Sequence, residues 1–343
     1  MKKILLFSIS LLFGLGLAIW LYANIDLRNI FLRFSFLTWG QIIVLFSLTL
    51  FKIIIWIFRW KFILKAMGWE RLSFKSLAAA RLGEMTLSYL TPGIFYGGEI
   101  IRVFALKKST NIPVPQGLIS VVSERIIELF AFGILAFLGA FILFFQKNLL
   151  GGLFFTILGF LPLILTGLIF KLLKSNKVIG LTKFFHLHKI KFLKQNGGEN
   201  GLVKKVKFIS KGIITFFQKS PKTVFKSIIL SCFSFMLRAI QVFIFVRFLN
   251  EFIPFTNALL IRILTLFSGL VPIPAMLGIY EGTSILAFKS VQLSAETALS
   301  FTLMTRLIDF SFIFIGLLII IYYLTHHVYK FINGKNNVKK ETI

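Results

Sequence analysis

The chain has 343 residues, 57% of them hydrophobic, and its mean hydropathy of +0.89 excludes an ordinary soluble protein. Apolar runs of about twenty residues recur without the alternation of a membrane β-barrel, so they predict an all-α, polytopic membrane protein. The basic residues behind the formal net charge of +27 lie between those runs, which indicates an anionic membrane surface and not nucleic acid as partner.

Six full spans are predicted in chain order, at roughly 4–23, 38–58, 117–145, 149–173, 223–248 and 296–324. A signal peptide is the alternative for the first. Its apolar run is about twice as long as the core of a signal peptide, and no small-residue cleavage site precedes Asn24, so an uncleaved span is favoured. The single cysteine, Cys232, lies in an apolar run and excludes an intrachain disulfide.

Two further apolar regions, 77–106 and 258–289, are each interrupted near the middle. Proline and glycine break them, at Pro92, Gly93, Gly97 and Gly98 in the first and at Pro272, Pro274 and Gly278 in the second. Each first arm of about fourteen residues reaches about 21 Å, which is short of the hydrocarbon core of about 30 Å. The regions are therefore predicted to be re-entrant helical hairpins, with a pair of short spans as the alternative for each.

Lysine and arginine residues indicate which side of the membrane each connection faces. The segment 174–222 carries twelve Lys against one acid, Glu199, and further basic residues flank the second span, the first hairpin and both termini. All of them fall on one side if 77–106 enters from the cytoplasmic face and 258–289 from the outer face. Both termini are then cytoplasmic, in the cytoplasmic membrane of a bacterium or archaeon.

The segment 174–222 also interleaves apolar residues with its lysines, which predicts two basic amphipathic helices. They are expected to lie on the inner leaflet or, alternatively, to pack together as a small cytoplasmic bundle. Lys52 is expected to extend its amine toward the membrane surface. Arg59 and Lys61 are expected to mark the interface at the end of the second span, with contact to a phosphate of the inner leaflet as the alternative for either.

The halves 1–147 and 148–343 contain the same order of spans and hairpin in opposite orientation. With one residue of slack, the register aligns Pro92, Glu99, Arg125 and Glu128 with Pro274, Glu281, Arg306 and Asp309. Inverted repeats with broken helices at matching positions are typical of transporters that alternate access around a site at the membrane midplane.

Ionisable residues at membrane depth are costly, so they usually pair with one another or serve a function. Arg125 and Arg306 are candidate ligands of a lipid phosphate, because a guanidinium group binds phosphate through two parallel hydrogen bonds. The candidate substrate-binding set is Arg125, Arg306, Glu99, Glu281, Arg102, Glu128 and Asp309, with Arg81, Arg238 and Arg262 as weaker candidates for the same cavity. The alternative is that Glu99–Arg125 and Glu281–Arg306 are salt bridges that hold the hairpins in place.

Catalytic and cofactor motifs are missing from the sequence. The four histidines, His186, His188, His326 and His327, have no metal-ligand spacing with nearby acids. No phosphate-binding Gly-rich loop and no nucleophile elbow occurs. The sequence therefore predicts no enzyme, no cofactor and no metal site.

The broken hairpin from Pro92 to Arg102, the dipeptide Glu124-Arg125, the second hairpin with Glu281 and the late Arg306 resemble the lysylphosphatidylglycerol synthase transmembrane-domain, or flippase-like, family. The resemblance covers roughly 10–325, and it implies a stand-alone member without the aminoacyl-transferase domain of the long members. It implies a flippase that moves a phospholipid or related polar lipid between leaflets. The alternative is a membrane subunit that assists a separate lipid-modifying or glycosyl-transferring enzyme, and a homo-oligomer is compatible with both.

Overall fold

The computed structural model describes residues 2–90, 98–175, 198–271 and 273–340. Within these ranges the regular structure is helical and no strand occurs. The α-helices are α1 Lys2–Ala23, α2 Leu27–Ser35, α3 Trp39–Ala66, α4 Phe74–Leu90, α5 Gly98–Thr110, α6 Val114–Phe145, α7 Leu149–Lys174, α8 Gly198–Lys219, α9 Pro221–Phe248, α10 Phe255–Leu266, α11 Ile279–Lys289 and α12 Ala295–Lys340. Two 3₁₀ turns, Phe267–Leu270 and Pro274–Met276, separate α10 from α11.

Within the part of the chain that the structure describes, five helices are long and apolar enough to cross a membrane: α3, α6, α7, α9 and the part Ala295–Tyr322 of α12. A sixth span results if Ser8–Ala23 and Leu27–Ser35, which meet at a bend of 80°, are counted as one. Large apolar side chains on α7, including Leu150, Ile157 and Ile164, are exposed on the outside of the bundle, as contact with lipid requires. These features confirm the predicted class, a polytopic helical membrane protein.

The first interrupted region forms a helical hairpin of α4 and α5. Gly98 at the start of α5 faces Ser88 near the end of α4, while Ile101 faces Gly83, so the two arms are antiparallel. A Cβ atom on Gly98 would lie 2.0 Å from Ser88 Oγ and 2.3 Å from the carbonyl oxygen of Glu84, so only glycine permits this approach. The predicted tip residues Pro92, Gly93 and Gly97 lie outside the described residues.

The second interrupted region is α10, the two 3₁₀ turns and α11. Pro274 is buried at the start of the second turn, and Ala275 follows with a left-handed backbone at φ 53°. Gly278 has φ +73°, and a Cβ atom there would lie 2.7 Å from Leu17 Cβ on α1. The glycine therefore provides both the turn into α11 and the close packing of α1 against this tip.

The two hairpins open at opposite ends of α6, a helix of 32 residues that spans about 48 Å. Only residues 111–113 separate α5 from α6, so the first hairpin opens at the start of α6. At the other end, Gln146 Nε2 donates to Asn257 Oδ1 at 3.5 Å, which places the start of α10 there. A recess of about 480 Å³ lies at this end of α6 and is lined by Gln146 and by both ends of the second hairpin, at Asn257 and Gln292. The described residues that line it are uncharged. An inverted repeat requires this arrangement, while the division into 1–147 and 148–343 stays a prediction.

The described part of the basic segment 174–222 contains one amphipathic helix, α8. Its apolar residues Val206, Ile209, Ile213 and Phe216 are buried, and Ile209 and Ile213 belong to an apolar cluster with residues of α5, α6 and α7. The apolar face is thus covered by the bundle, and the expectation that this helix lies with that face in the inner leaflet is wrong. The other predicted amphipathic helix falls within 176–197, outside the described residues.

Candidate functional site

Charged side chains in the interior form two groups. The first, termed the balanced cluster, joins α3, α4, α5 and α6 and contains Arg59, Arg81, Arg102, Arg125, Glu84, Glu99, Glu124 and Glu128. The second, termed the basic cluster, joins α3, α9, α10, α11 and α12 and contains Lys52, Arg238, Arg262, Arg306, Glu281 and Asp309.

Arg125 on α6 holds the first hairpin against that helix. Its Nη2 donates to Glu84 Oε1 and to Glu99 Oε1, each at 2.9 Å, while Nη1 donates to Glu128 Oε2 at 2.6 Å. Three carboxylates from α4, α5 and α6 therefore surround one guanidinium group. Both terminal nitrogens are in use, and the buried Nε has no hydrogen-bond partner among the described residues.

Glu124 occupies the sealed interior of the balanced cluster. It is four residues from Glu128 on α6, so both carboxylates face α3, where Arg59 donates to each of them. Arg102 donates to Glu124 from the other side and also to Glu84 Oε2 at 3.0 Å. The side chains of Arg59 and Glu124 are 0% exposed, so their charges are compensated within the protein and not by water.

Arg306 on α12 connects the two hairpin tips. Its Nε donates to Glu281 Oε1 at 2.6 Å. Glu281 is in the first turn of α11, the second arm of the second hairpin. Its Nη1 donates to the carbonyl oxygen of Ala275 at 3.0 Å and to the hydroxyl of Tyr89, which is on the last turn of α4. Arg306 Nη2 and Glu281 Oε2 are buried, and neither has a hydrogen-bond partner among the described residues.

A second part of the basic cluster lies between α3, α9 and α12. Arg238 Nη2 donates to Asp309 Oδ2 at 3.2 Å, and Arg238 Nη1 donates to Gln241 Oε1 at 2.8 Å. Lys52 Nζ lies 4.0 Å from Asp309 Oδ1. Gln241 in turn donates to the carbonyl oxygen of Leu45 at 3.0 Å, which ties this part of α9 to α3.

Arg262 on α10 completes the basic cluster without an ion pair to any residue that the structure describes. Its guanidinium carbon lies 5.7 Å from the ring centre of Phe235, which is one turn before Arg238 on α9. Its Nε is buried without a hydrogen-bond partner. Arg262 lies within electrostatic range of Arg238 and Asp309.

Trp56 contacts one cation of each cluster. Lys52 Nζ lies 4.9 Å from the centre of the indole ring, and the guanidinium carbon of Arg81 lies 4.7 Å from it. The clusters are therefore neighbours at one aromatic side chain, and the indole ring stabilises a cation of each cluster.

The proposed residues of the sequence analysis all lie in these clusters, although several pair differently from their helical spacing. Arg125 and Glu128 do form an i,i+3 ion pair, and Arg306 pairs with Glu281. Arg102 donates to Glu84 and Glu124 and forms no ion pair with Glu99, and Asp309 pairs with Arg238 and not with Arg306. Both differences arise because partners from other helices lie closer.

Two expectations for basic residues are wrong. Lys52 is 7% exposed and faces Asp309, so its amine does not reach the membrane surface. Arg59 is fully buried among carboxylates, and α3 continues beyond it to Ala66. A helix can continue through the membrane past an arginine when carboxylates of neighbouring helices pair with it. Glu124 and Glu128 are those partners for Arg59.

Glu84 and Tyr89 are the site residues that sequence reasoning missed. In the register of the proposed repeat, Glu84 is aligned with Leu266, so the repeat does not mark it as a site residue. Its position in an apolar hairpin arm could have identified it, because only 12 acids occur in the chain. Tyr89 had no signal of its own, because its contact with Arg306 joins residues that are 217 positions apart.

The fold and its buried charges define a polytopic helical membrane protein with two broken helical hairpins and a charged interior. The chain belongs to the family described as the lysylphosphatidylglycerol synthase TM region, which matches residues 7–316. It is also similar to the UPF0104 membrane protein MJ1595 of Methanocaldococcus jannaschii, with 26% identity over 275 residues that cover 78% of this chain and 80% of that protein. The resemblance inferred from the sequence motifs is thereby confirmed.

Proposed function

We propose that the protein moves a phospholipid or related polar lipid between the two leaflets of a cytoplasmic membrane. The observation that carries the proposal is the position of Arg306, whose side chain contacts the tips of both hairpins at Tyr89 and Ala275. Broken helices whose ends meet at buried charges are the usual site of substrate in transporters, where one half moves against the other.

The chemistry of Arg306 suggests how a lipid would couple the hairpins. A phosphate oxygen that approaches Nη2 competes with Glu281 for the same guanidinium group, because both are anions. Loss of the Glu281 contact would release the second arm of the second hairpin from α12. The polar headgroup would then pass along charged side chains while the acyl chains stay in the bilayer.

The proposed topology follows from the sidedness of the basic residues. The halves 1–147 and 148–343 would be inverted repeats, with both termini in the cytoplasm and one hairpin opening on each face. Membrane lipids would be the partners.

A second candidate function is a membrane subunit that assists a separate lipid-modifying enzyme without transport. The observation in its favour is the balanced cluster, whose mutually compensated charges hold α3, α4, α5 and α6 together as a rigid unit. A scaffold needs that rigidity, whereas transport needs at least one contact that can be released.

Reconstitution distinguishes the two functions. Fluorescent phospholipid in proteoliposomes should become accessible to an external quencher faster with the wild type than in empty vesicles. Arg306→Ala should slow the exchange by about tenfold or more, because it removes the guanidinium group that would bind the lipid phosphate through charge-assisted hydrogen bonds worth about 1.5–3 kcal/mol each. Arg33→Ala, which removes the peripheral Arg33–Glu251 pair at 2.6 Å, is the matched control and should leave the rate unchanged.

Equal rates for wild-type proteoliposomes and empty vesicles would contradict transport. A wild-type activity that Arg306→Ala leaves intact, in protein that remains monodisperse, would contradict the role of the Arg306 contacts in it.

A further inference from the structure

The two interior clusters differ in formal charge. The balanced cluster has four arginines and four glutamates, and its carboxylates and guanidinium groups pair across the helices. The basic cluster has four cations, Lys52, Arg238, Arg262 and Arg306, against two carboxylates, Glu281 and Asp309. Two formal positive charges therefore remain without a partner among the described residues, at a depth where such a charge is costly.

The excess positive charge is localised at one end of the basic cluster. Arg306 has Glu281 as a close partner, whereas Lys52 and Arg238 share the single carboxylate of Asp309. Arg262 has no ion pair among the described residues, and its buried Nε has no hydrogen-bond partner. Asp309 Oδ1 is also buried without a hydrogen-bond partner among the described residues, so it is the excess of cations that points to an anion at Lys52, Arg238 and Arg262.

These three cations come from different helices and converge on one place. Lys52 is on α3, Arg238 is on α9, and Arg262 is on α10, above Phe235 of α9. Arg238 Nη2 lies 3.2 Å from Asp309, Lys52 Nζ lies 4.0 Å from the same carboxylate, and the ring against which Arg262 lies is one turn before Arg238. Convergence from three helices is what a phosphate requires, because its oxygens accept hydrogen bonds from several directions.

Pairing distinguishes this place from the balanced cluster, because both clusters have partly exposed members. The side chains of Asp309 and Arg238 are 25% and 10% exposed, and those of Arg125 and Glu128 are 19% and 17% exposed. Arg125 and Glu128 are already paired with each other, whereas Arg262 has no ion pair among the described residues, so a headgroup can bind there without breaking one.

We propose that Lys52, Arg238 and Arg262 form a binding site for the anionic phosphate of a lipid headgroup, and that the site selects lipids of net negative charge. This inference rests on the proposed function and specifies its substrate class. The cation of a zwitterionic headgroup is repelled by the excess positive charge of the site. A headgroup of net positive charge is disfavoured still more.

The test measures binding in detergent, independently of transport. Purified protein is titrated with phosphatidylglycerol, with phosphatidylcholine of the same acyl chains, and with inorganic phosphate, and the melting temperature is followed by tryptophan fluorescence. Phosphatidylglycerol should stabilise the wild type at concentrations about tenfold or more below those of phosphatidylcholine. Inorganic phosphate should stabilise more weakly than phosphatidylglycerol, because the acyl chains of the lipid add apolar contacts.

Arg262→Gln is the informative variant, because Arg262 has no ion pair to break and the fold should tolerate its loss. It should weaken phosphatidylglycerol binding by about tenfold or more while binding of phosphatidylcholine changes little. Lys52→Gln should act in the same direction, and Arg33→Gln, at the peripheral ion pair, should bind like the wild type.

Equal affinity for the anionic and zwitterionic lipids, or wild-type selectivity in Arg262→Gln, would overturn this inference even if lipid exchange in proteoliposomes is observed. If inorganic phosphate stabilises the protein as strongly as phosphatidylglycerol does, the ligand of this site is free phosphate and not a lipid headgroup. Selective binding without any lipid exchange would support the anion site while the transport function failed.

Discussion

At the scale of single residues, burial decides how much an ion pair contributes to stability. Glu124 is 0% exposed and accepts hydrogen bonds from Arg59 and Arg102, so its removal takes one carboxylate partner from each of two buried guanidinium groups and leaves the cluster with four cations against three anions. Glu251 makes the comparable contact with Arg33, but both side chains are about one-quarter exposed, at 26% and 25%. Burial therefore separates a structural carboxylate from a dispensable one.

Glu124→Gln is expected to destabilise the protein by about 3–5 kcal/mol, the usual cost of an uncompensated buried charge. Glu251→Gln, its matched control, should cost about 1 kcal/mol or less, because water screens the Arg33 that it leaves behind. Thermal unfolding in detergent measures both. Equal melting temperatures for the two variants would mean that the balanced cluster does not hold α3 and α6 together.

At the scale of elements, glycine sets how closely the arms of a broken helix approach. Gly98 allows the start of α5 to contact the end of α4, which brings Glu99 and Arg102 within reach of Arg125 and Glu84. The ion pairs of the balanced cluster thus depend on backbone packing within one hairpin. A glycine on an exposed helix surface has no such role.

Gly98→Ala is expected to destabilise the protein by about 1–3 kcal/mol, because its Cβ meets the backbone oxygen of Glu84, which cannot rotate away. Gly167→Ala on α7, where nothing lies within 4 Å of the added carbon, should be neutral or slightly stabilising. The same thermal measurement compares them. A Gly98→Ala protein as stable as Gly167→Ala would show that the arms tolerate separation.

The sequence predicted the helices and hairpins well, because apolar runs and Pro/Gly breaks are local signals. Gly98, Pro274 and Gly278 are where the pattern expected the interruptions. The pairing of charges was predicted less completely, since helical spacing indicates only partners on the same helix. Arg238–Asp309 and Arg59–Glu124 join positions that are 71 and 65 residues apart, and only the packing of helices determines such contacts.

At the scale of the whole molecule, the two proposed repeats, 1–147 and 148–343, differ in their buried charges. The aligned glutamates, Glu99 and Glu281, each contact the aligned arginine of their own half, Arg125 and Arg306. Around the first pair the charges balance, whereas around the second they do not. We therefore expect the first half to be the rigid part of the molecule and the second half to be the part that responds to ligand.

The central claim is that two broken hairpins enter from opposite faces of the membrane and meet at Arg306. Single cysteines at the two open ends test it most directly, in a Cys232→Ser background that removes the native thiol. In intact cells, a membrane-impermeant maleimide should label Gln292→Cys, at the open end of the second hairpin, and should label Lys75→Cys, at the open end of the first, only after the cells are opened. Labelling of both positions from the same side of the membrane would contradict the account.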